Sequence, residues 1–154
     1  MAMGMQNESM NDGSSFDWAD NESLKEVGNE MTTNLSMREL TEKDLKEAVE
    51  MYIAVFSAEP WNDQLTVPQI TEYVSSMMAM NTYIGYCIVD SLTNELVGYA
   101  LGFIKPWYQG KEYVIDTFLI AGKYQEKGFG SAFLEMIKEE LLKKGLSTIL
   151  LDTE

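Results

Sequence analysis

The sequence of 154 residues contains no histidine and only one cysteine, Cys87. Without histidine, Ser-His-Asp catalysis and ordinary histidine-containing zinc sites are excluded. A single cysteine cannot form a disulfide within the chain, which fits a reducing compartment. No apolar run approaches the ~20 residues of a membrane span, and the amino terminus lacks the layout of a signal peptide. We therefore expect a cytoplasmic protein without a membrane partner.

Basic residues are also scarce: 11 Lys and Arg against 25 Asp and Glu leave a net charge of −14. Such a chain gains little from the phosphates of a nucleic acid, so no nucleic-acid partner is expected. It would attract a cationic substrate by electrostatic steering, although the same charge also serves solubility alone. With 45% hydrophobic residues, the chain is long and apolar enough for one domain with its own core.

The first 35 residues carry little apolar pattern. They are rich in Asn, Ser, Gly and acidic residues, and Lys25 is their only basic residue. Such a segment buries too little apolar surface to offset the entropy lost when it is ordered. The sequence therefore predicts a disordered acidic leader over residues 1–35 and one domain over residues 36–154.

The domain alternates strand-like and helical patterns. Runs rich in apolar, mostly β-branched and aromatic residues predict five strands, at residues 36–40, 82–90, 96–104, 112–120 and 147–152. Apolar residues at helical spacing predict three helices. The first two start after the caps Thr41 and Thr66, and the third spans residues 131–144. Asp44 is the predicted partner of the Thr41 cap. This element order indicates an α/β fold.

The fourth predicted strand carries an acidic residue within an apolar run. Regular alternation puts Asp116 on the same face as Val114, Phe118 and Ile120. A carboxylate is costly to bury there unless it is paired or protonated, so Asp116 is a candidate functional residue. A structural aspartate that accepts main-chain hydrogen bonds is the alternative. Glu112, near the start of the strand, is the second candidate.

The stretch from Gln125 to Ser131 joins this strand to the last helix and contains Gly128 and Gly130. Glycine allows a tight turn and a close approach of the backbone to a ligand. The free N–H groups at a helix start attract phosphate, so the stretch predicts a phosphate-binding loop. It is neither a Walker A loop nor a full G-x-G-x-x-G motif, because Phe133 stands at the third glycine position. A simple tight turn is the alternative.

This loop resembles that of the GNAT acetyltransferases, whose pattern Gln/Arg-x-x-Gly-x-Gly/Ala is met by Gln125, Gly128 and Gly130. The resemblance covers roughly residues 37–154 and implies an α/β (α+β) fold, a mixed, mostly antiparallel sheet flanked by helices. It implies acetyl-CoA as cosubstrate and no metal. Loop amides would bind its pyrophosphate, and the end of the fourth strand would pair with its pantetheine arm. The residues so implied in cofactor binding are Phe118, Leu119, Ile120, Gln125, Glu126, Lys127, Gly128, Phe129, Gly130 and Ser131.

In GNAT enzymes the first two helices and the segment between them border the acceptor site, and residues 56–61 resemble that segment in an aminoglycoside-acetyltransferase-like subgroup. Trp61 is thus a candidate acceptor-site residue; a core aromatic is the alternative. In several GNAT enzymes an acidic residue near the position of Asp116 acts as base, water-holder or anchor for the substrate ammonium. The resemblance implies acetylation of a primary amine on a small cationic substrate, with Asp116 binding and deprotonating it. Protein N-acetylation is the alternative, and a homodimer is left open.

The sequence ends at Glu154, where a GNAT domain continues with a fourth helix and two further strands. Those elements often supply a tyrosine near the CoA sulfur. We therefore expect a sheet that is incomplete at the carboxyl terminus, in a fragment of a longer protein. A catalytically inactive CoA-binding or interaction module is the second function that the sequence leaves open.

Overall fold

A computed structural model describes residues 3–4, 15–16 and 34–151 of the chain. The strands are β1 (Met3–Gly4), β2 (Ser15–Phe16), β3 (Leu35–Glu39), β4 (Tyr86–Asp90), β5 (Leu96–Trp107), β6 (Gly110–Ile120) and β7 (Ile149–Leu151). The helices are α1 (Leu45–Phe56), α2 (Val67–Met78) and α3 (Phe129–Lys143). The predicted α/β class is confirmed, and the five predicted strands and three predicted helices correspond in order to β3–β7 and α1–α3, whereas β1 and β2 were not predicted.

The strands form one sheet in the order β2-β7-β6-β5-β4-β3. Neighbours run antiparallel except for β6 and β7, which are parallel. One edge of β6 pairs with β5 along nearly its whole length. The opposite edge is divided between two partners: β7 pairs at Tyr113 to Ile115, and β1 pairs in parallel at Phe118 and Leu119. The mixed, mostly antiparallel sheet with flanking helices is therefore present.

Both faces of the sheet are covered, as the apolar character of the fourth predicted strand indicated. One cluster joins α1 and α2 to the face that carries Cys87, Tyr99 and Leu119. The other joins α3 to the face that carries Ile115 and Phe118. Cys87 is fully buried, and its burial raises the pKa of the thiol to about 11. A buried protonated thiol is a core residue and not a nucleophile.

Side-chain caps fix the starts of the first two helices. The Thr66 hydroxyl accepts a hydrogen bond from the Gln69 amide at 3.3 Å, as predicted for the start of α2. Before α1, the Thr41 amide donates to the Asp44 carboxylate at 3.0 Å. The Arg38 guanidinium also binds both oxygens of Asp44, at 2.9 and 3.0 Å. This ion pair ties β3 to the start of α1, and the sequence pattern did not reveal it.

The largest differences from the predicted strand boundaries occur in two places, while β3 and β7 begin within two residues of their predicted starts. β5 continues to Trp107 and β6 already begins at Gly110, so a tight hairpin replaces the longer turn expected there. The strand predicted over residues 82–90 begins only at Tyr86, because Tyr83 forms an isolated bridge with Phe103 instead. The expected leader, residues 1–35, lies mostly outside the described residues; its described parts are strands β1 and β2, Asn34, and Leu35, which is the first residue of β3. Among the described residues, no helix has the length and apolar character to cross a membrane.

Candidate active site

A β-bulge in β6 determines where the Asp116 side chain goes. Leu101 of β5 pairs with Thr117, but the next residue, Gly102, pairs with Ile115, so Asp116 has no partner across the ladder. A bulge of this kind reverses the alternation of side chains beyond it. The predicted face was therefore wrong: Phe118 packs with Ile115 on the α3 side, whereas Asp116 reaches the α2 side together with Thr117.

On that side Asp116 contacts α2. The Tyr73 hydroxyl donates a hydrogen bond to Asp116 Oδ2 and lies 2.8 Å from the Thr117 hydroxyl. The Thr117 hydroxyl also donates to Asp116 Oδ2 at 3.3 Å. Asp116 is half-buried and Thr117 is fully buried. Within residues 34–151 the carboxylate is thus held by side chains, and not by the main-chain donors that a purely structural aspartate was expected to use.

Aromatic rings connect this carboxylate to the predicted acceptor-site tryptophan. Tyr73 makes an edge contact with Tyr52 at 5.8 Å between ring centroids, and Tyr52 contacts Phe56 at 4.6 Å. Phe56 in turn makes an edge contact with Trp61 at 5.2 Å. Trp61 is half-buried at the end of this row of rings. The rings of Tyr73, Tyr52, Phe56 and Trp61 thus form one aromatic wall, which joins Trp61 to Tyr73, the hydrogen-bond partner of Asp116.

Two carboxylates place negative charge beside this aromatic wall. Burial raises the pKa of Tyr52 to about 12, and the carboxylates of Asp116 and Asp63 act in the same direction. Two carboxylates therefore lie close enough to influence one phenol. A site of this kind favours a bound cation over an anion.

Glu112, the second predicted carboxylate, is not brought to this place. It pairs across the sheet with Lys105, near the tip of the β5–β6 hairpin. It lies four positions before Asp116 along the strand, or about 13 Å away at the usual rise. The two predicted acidic residues are therefore not parts of one cluster.

The loop before α3 has the geometry expected of an anion site. Glu126 and Gly128 both adopt the left-handed conformation, with φ of 61° and 82°. Gly128 is the N-cap of α3, and the first intrahelical bond there runs from the Ala132 amide to the Gly128 carbonyl at 3.1 Å. The amides of Phe129 and Gly130 consequently have no acceptor within the helix. The positive end of the helix dipole adds to the attraction for phosphate.

Side-chain contacts tie this loop to the end of β6. Gln125 Nε2 donates to the Ile120 carbonyl at 2.8 Å, and the Tyr124 ring makes an edge contact with Phe129 at 5.6 Å. The glutamine of the family pattern therefore has a structural reason: it fixes the loop relative to the strand. The predicted loop residues and Phe118 to Ile120 thus belong to one continuous segment of the fold.

A cavity of about 460 Å³ lies elsewhere, between α1 and the turn that follows β6. Glu47, Glu50, Glu95 and Lys123 are among its lining residues, and none of the predicted site residues is. Among the described residues, no three His, Cys, Asp or Glu side chains are grouped so that they could hold a metal ion.

Sequence reasoning missed the residues that hold Asp116. Tyr73 lies in the second predicted helix and Thr117 in the fourth predicted strand, and neither was a candidate site residue; Tyr52, which packs against Tyr73, lies in the first predicted helix. A signal was present, because a buried tyrosine hydroxyl usually finds a hydrogen-bond partner. Two tyrosines on the inner faces of neighbouring helices therefore indicated a polar group beneath them.

A model of the acetyltransferase (GNAT) family matches residues 36–154 of the chain. This range contains every residue that was predicted to bind cofactor or substrate or to act in catalysis. No curated protein sequence matches.

Solved structures show the same fold. A GNAT family acetyltransferase from Staphylococcus aureus has 13% identity and a TM-score of 0.64, with 79% of this chain and 88% of that chain covered. An aminoglycoside acetyltransferase from an uncultured soil metagenomic sample, in complex with sisomicin, has 16% identity and a TM-score of 0.60, with 80% of each chain covered. A ribosomal-protein-alanine N-acetyltransferase from Brucella melitensis has 13% identity and a TM-score of 0.63, with 78% and 81% covered. At these identities the likeness extends to the fold alone.

Proposed function

The chain belongs to the acetyltransferase (GNAT) family, and from this premise we propose that it transfers the acetyl group of acetyl-CoA to a primary amine of a small cationic substrate. The observation that carries the proposal is the position of Asp116. The bulge in β6 turns this carboxylate toward α2. Asp116 comes two residues before Phe118, where the edge that pairs with the cofactor is expected to begin. A proton acceptor and a thioester would then lie side by side.

The cofactor fits two features of the chain. The left-handed Gly128 and the amides at the start of α3 provide donors for a pyrophosphate. The edge of β6 at Phe118 and Leu119 accepts an extended chain, since β1 pairs there in parallel. Residues 118–120 and 125–131 would therefore hold acetyl-CoA, which supplies a thioester that is reactive toward amines.

The chain's own residues then handle the proton. A cationic amine must lose a proton before its nitrogen can attack a carbonyl carbon. Asp116 would accept this proton, directly or through one water molecule. Main-chain N–H groups near the bulge would stabilise the negative charge that develops on the carbonyl oxygen. The new C–N bond replaces the C–S bond, and CoA leaves as the thiol after protonation.

Charge and a structural neighbour support the proposed acceptor class. Asp63 and Asp116 make the aromatic wall acidic, and the whole chain carries −14. A soil aminoglycoside acetyltransferase has a similar fold and was solved with a polycationic amine, sisomicin. A protein amino terminus or lysine is the second candidate, favoured by the similar fold of a ribosomal-protein-alanine N-acetyltransferase.

The remaining parts of the proposal concern organisation. We infer an acidic leader over residues 1–35 that precedes the acetyl-CoA-binding domain at 36–154. One buried, protonated cysteine fits a reducing cytoplasmic location. Light scattering of the purified chain would distinguish a homodimer from a monomer.

The test measures CoA release from acetyl-CoA with a panel of polyamines, aminoglycosides and lysine peptides. We expect turnover with at least one small cationic amine, and a loss of about 10²- to 10⁴-fold in kcat in Asp116→Asn without a change in acetyl-CoA affinity. Glu112→Gln separates the two predicted carboxylates, and a loss confined to this variant would assign the role to Glu112. Acetyl-CoA binding without turnover of any amine would indicate an inactive CoA-binding module.

A further inference from the structure

The contacts of Asp116 occupy only one of its two carboxylate oxygens. Oδ2 accepts the hydrogen bonds from Tyr73 and Thr117. Among the residues that the structure describes, none donates a hydrogen bond to Oδ1. A carboxylate held in this way has one fixed oxygen and one oxygen that is available to a ligand.

We propose that Tyr73 is a positioning residue for acetyl transfer: its hydroxyl holds Oδ2 of Asp116 and thereby directs Oδ1 to the ammonium of the acceptor. This inference rests on the proposed function, because it concerns the same carboxylate and the same proton. Tyr73 acts through Asp116 and does not itself touch the reacting atoms.

The bulge explains why Asp116 needs such a partner. A residue in a regular ladder has its side-chain direction set by cross-strand pairing on both sides of it. Asp116 lies outside the ladder between β5 and β6, so the sheet alone does not fix its carboxylate. Rates of proton transfer fall steeply when a catalytic group moves by even 1 Å, so an orienting contact matters for turnover.

Tyr73 is suited to this task because its own position is fixed. Its ring packs against Tyr52, and α2 is held at its start by the reciprocal contacts of Thr66 and Gln69. Burial raises the pKa of Tyr73 well above its ordinary value, and the hydrogen bond to Asp116 acts in the same direction. The hydroxyl therefore keeps its proton at working pH and remains a donor.

Tyr83 provides a matched control. Its hydroxyl also joins two parts of the fold, since it donates to the Leu40 carbonyl at 2.7 Å. Tyr73 and Tyr83 are both half-buried, and each loses one hydroxyl on replacement by Phe. Tyr83→Phe therefore reproduces the structural loss without touching Asp116.

The experiment compares the kinetics and melting temperatures of the full chain, Tyr73→Phe and Tyr83→Phe, with the best amine of the panel. We expect Tyr73→Phe to lose about 10- to 100-fold in kcat while its KM for acetyl-CoA changes less than twofold. We expect Tyr83→Phe to lower the melting temperature to a similar extent and to keep its kcat. Equal kcat values for the two variants would overturn the role of Tyr73.

A second readout uses the Asp116→Asn background. If Tyr73 acts through Asp116, Tyr73→Phe costs little further kcat once Asp116 is replaced, because the two losses are not additive. The same fold-loss in both backgrounds would mean a general structural effect and would overturn the inference. Failure of the proposed function can be told apart from failure of the Tyr73 inference, because in the first case the unmodified chain turns over no amine. The proposed role of Tyr73 would then be overturned as well.

Discussion

Gly102 pairs with Ile115, and not with Asp116, which a regular register would have placed opposite it. A Cβ atom at Gly102 would lie 2.5 Å from the Val114 carbonyl oxygen and 2.7 Å from the Tyr113 ring. Only glycine lets β5 approach β6 this closely at the bulge. The direction of the Asp116 carboxylate thus depends on the absence of a side chain on the neighbouring strand.

The first prediction follows from this relationship. Gly102→Ala forces the strands apart at the bulge, because the clash is with backbone that cannot rotate away. We expect a loss of about 1–3 kcal/mol in the free energy of unfolding and at least a tenfold loss in kcat. Gly122→Ala is the control, since a Cβ atom there meets nothing within 4 Å. Full activity in Gly102→Ala, measured by CoA release, would contradict the dependence of Asp116 on the bulge.

The second prediction concerns the loop before α3. Gly128 and Gly145 lie at opposite ends of this helix with almost the same left-handed φ, 82° and 80°. Alanine at either position introduces comparable strain, about 1 kcal/mol. We expect only Gly128→Ala to weaken acetyl-CoA binding, by about tenfold or more, because only Gly128 lies beside the amides that are proposed to bind the pyrophosphate. Calorimetric titration checks this, and equal Kd values for the two variants would refute the phosphate-binding loop.

The third prediction concerns β1, which pairs with Phe118 and Leu119. One edge of a strand can form a ladder with only one partner, so β1 and the proposed cofactor arm would compete for these main-chain groups. Deletion of residues 1–5 removes β1 and leaves β2, so we expect acetyl-CoA to bind several-fold more tightly. Calorimetry measures the effect, and circular dichroism checks that the fold is kept. An unchanged Kd would mean that the arm does not use this edge.

The fourth prediction tests the pairing of β3 with the start of α1. The hydrogen bond from Arg38 lowers the pKa of Asp44 below its ordinary value, and the Thr41 amide acts in the same direction. A lowered pKa in the folded state stabilises the fold above the unfolded pKa, near 4, and this contribution is lost as pH falls through the folded value.

Asp44→Asn should therefore lower the free energy of unfolding by about 1 kcal/mol at pH 7, a modest value because Arg38 is partly exposed. The difference from the unmodified chain should shrink as the pH falls below about 4, and it disappears only once the pH has fallen through the lowered pKa of folded Asp44, where the carboxyl group is uncharged like the amide of Asn. Urea unfolding at pH 7 and pH 3 measures it. Glu42→Gln removes the same charge from an exposed residue in the same turn, and we expect it to change stability little. A pH-independent deficit in Asp44→Asn would contradict the ion pair.

Local signals made most of the fold predictable. Thr66 starts α2, Gly145 follows the end of α3, and the apolar residues of β6 are covered on both faces, because caps, turns and periodicity depend on neighbours in sequence. The loop before α3 was predictable for the same reason, since its glycines and its glutamine lie within six residues.

The arrangement around Asp116 was not predictable in this way. It depends on a register shift between two strands and on Tyr73, which lies 43 residues earlier in the chain. Alternation gives the correct face only while the ladder is regular, and one extra residue reverses it. The sequence already ranked Asp116 above Glu112, and the pairing of Glu112 with Lys105 near the hairpin tip adds a structural reason for that order.

Cys87 is fully buried and is the only thiol of the chain. The folded protein therefore does not react with thiol-reactive dyes. A dye of this kind can therefore count released CoA directly, without background from the protein. In the absence of substrate the same dye reacts only when the sheet around β4 opens, so its labelling rate reports the free energy of that opening. One reagent thus measures both the turnover of each variant and the integrity of its native state.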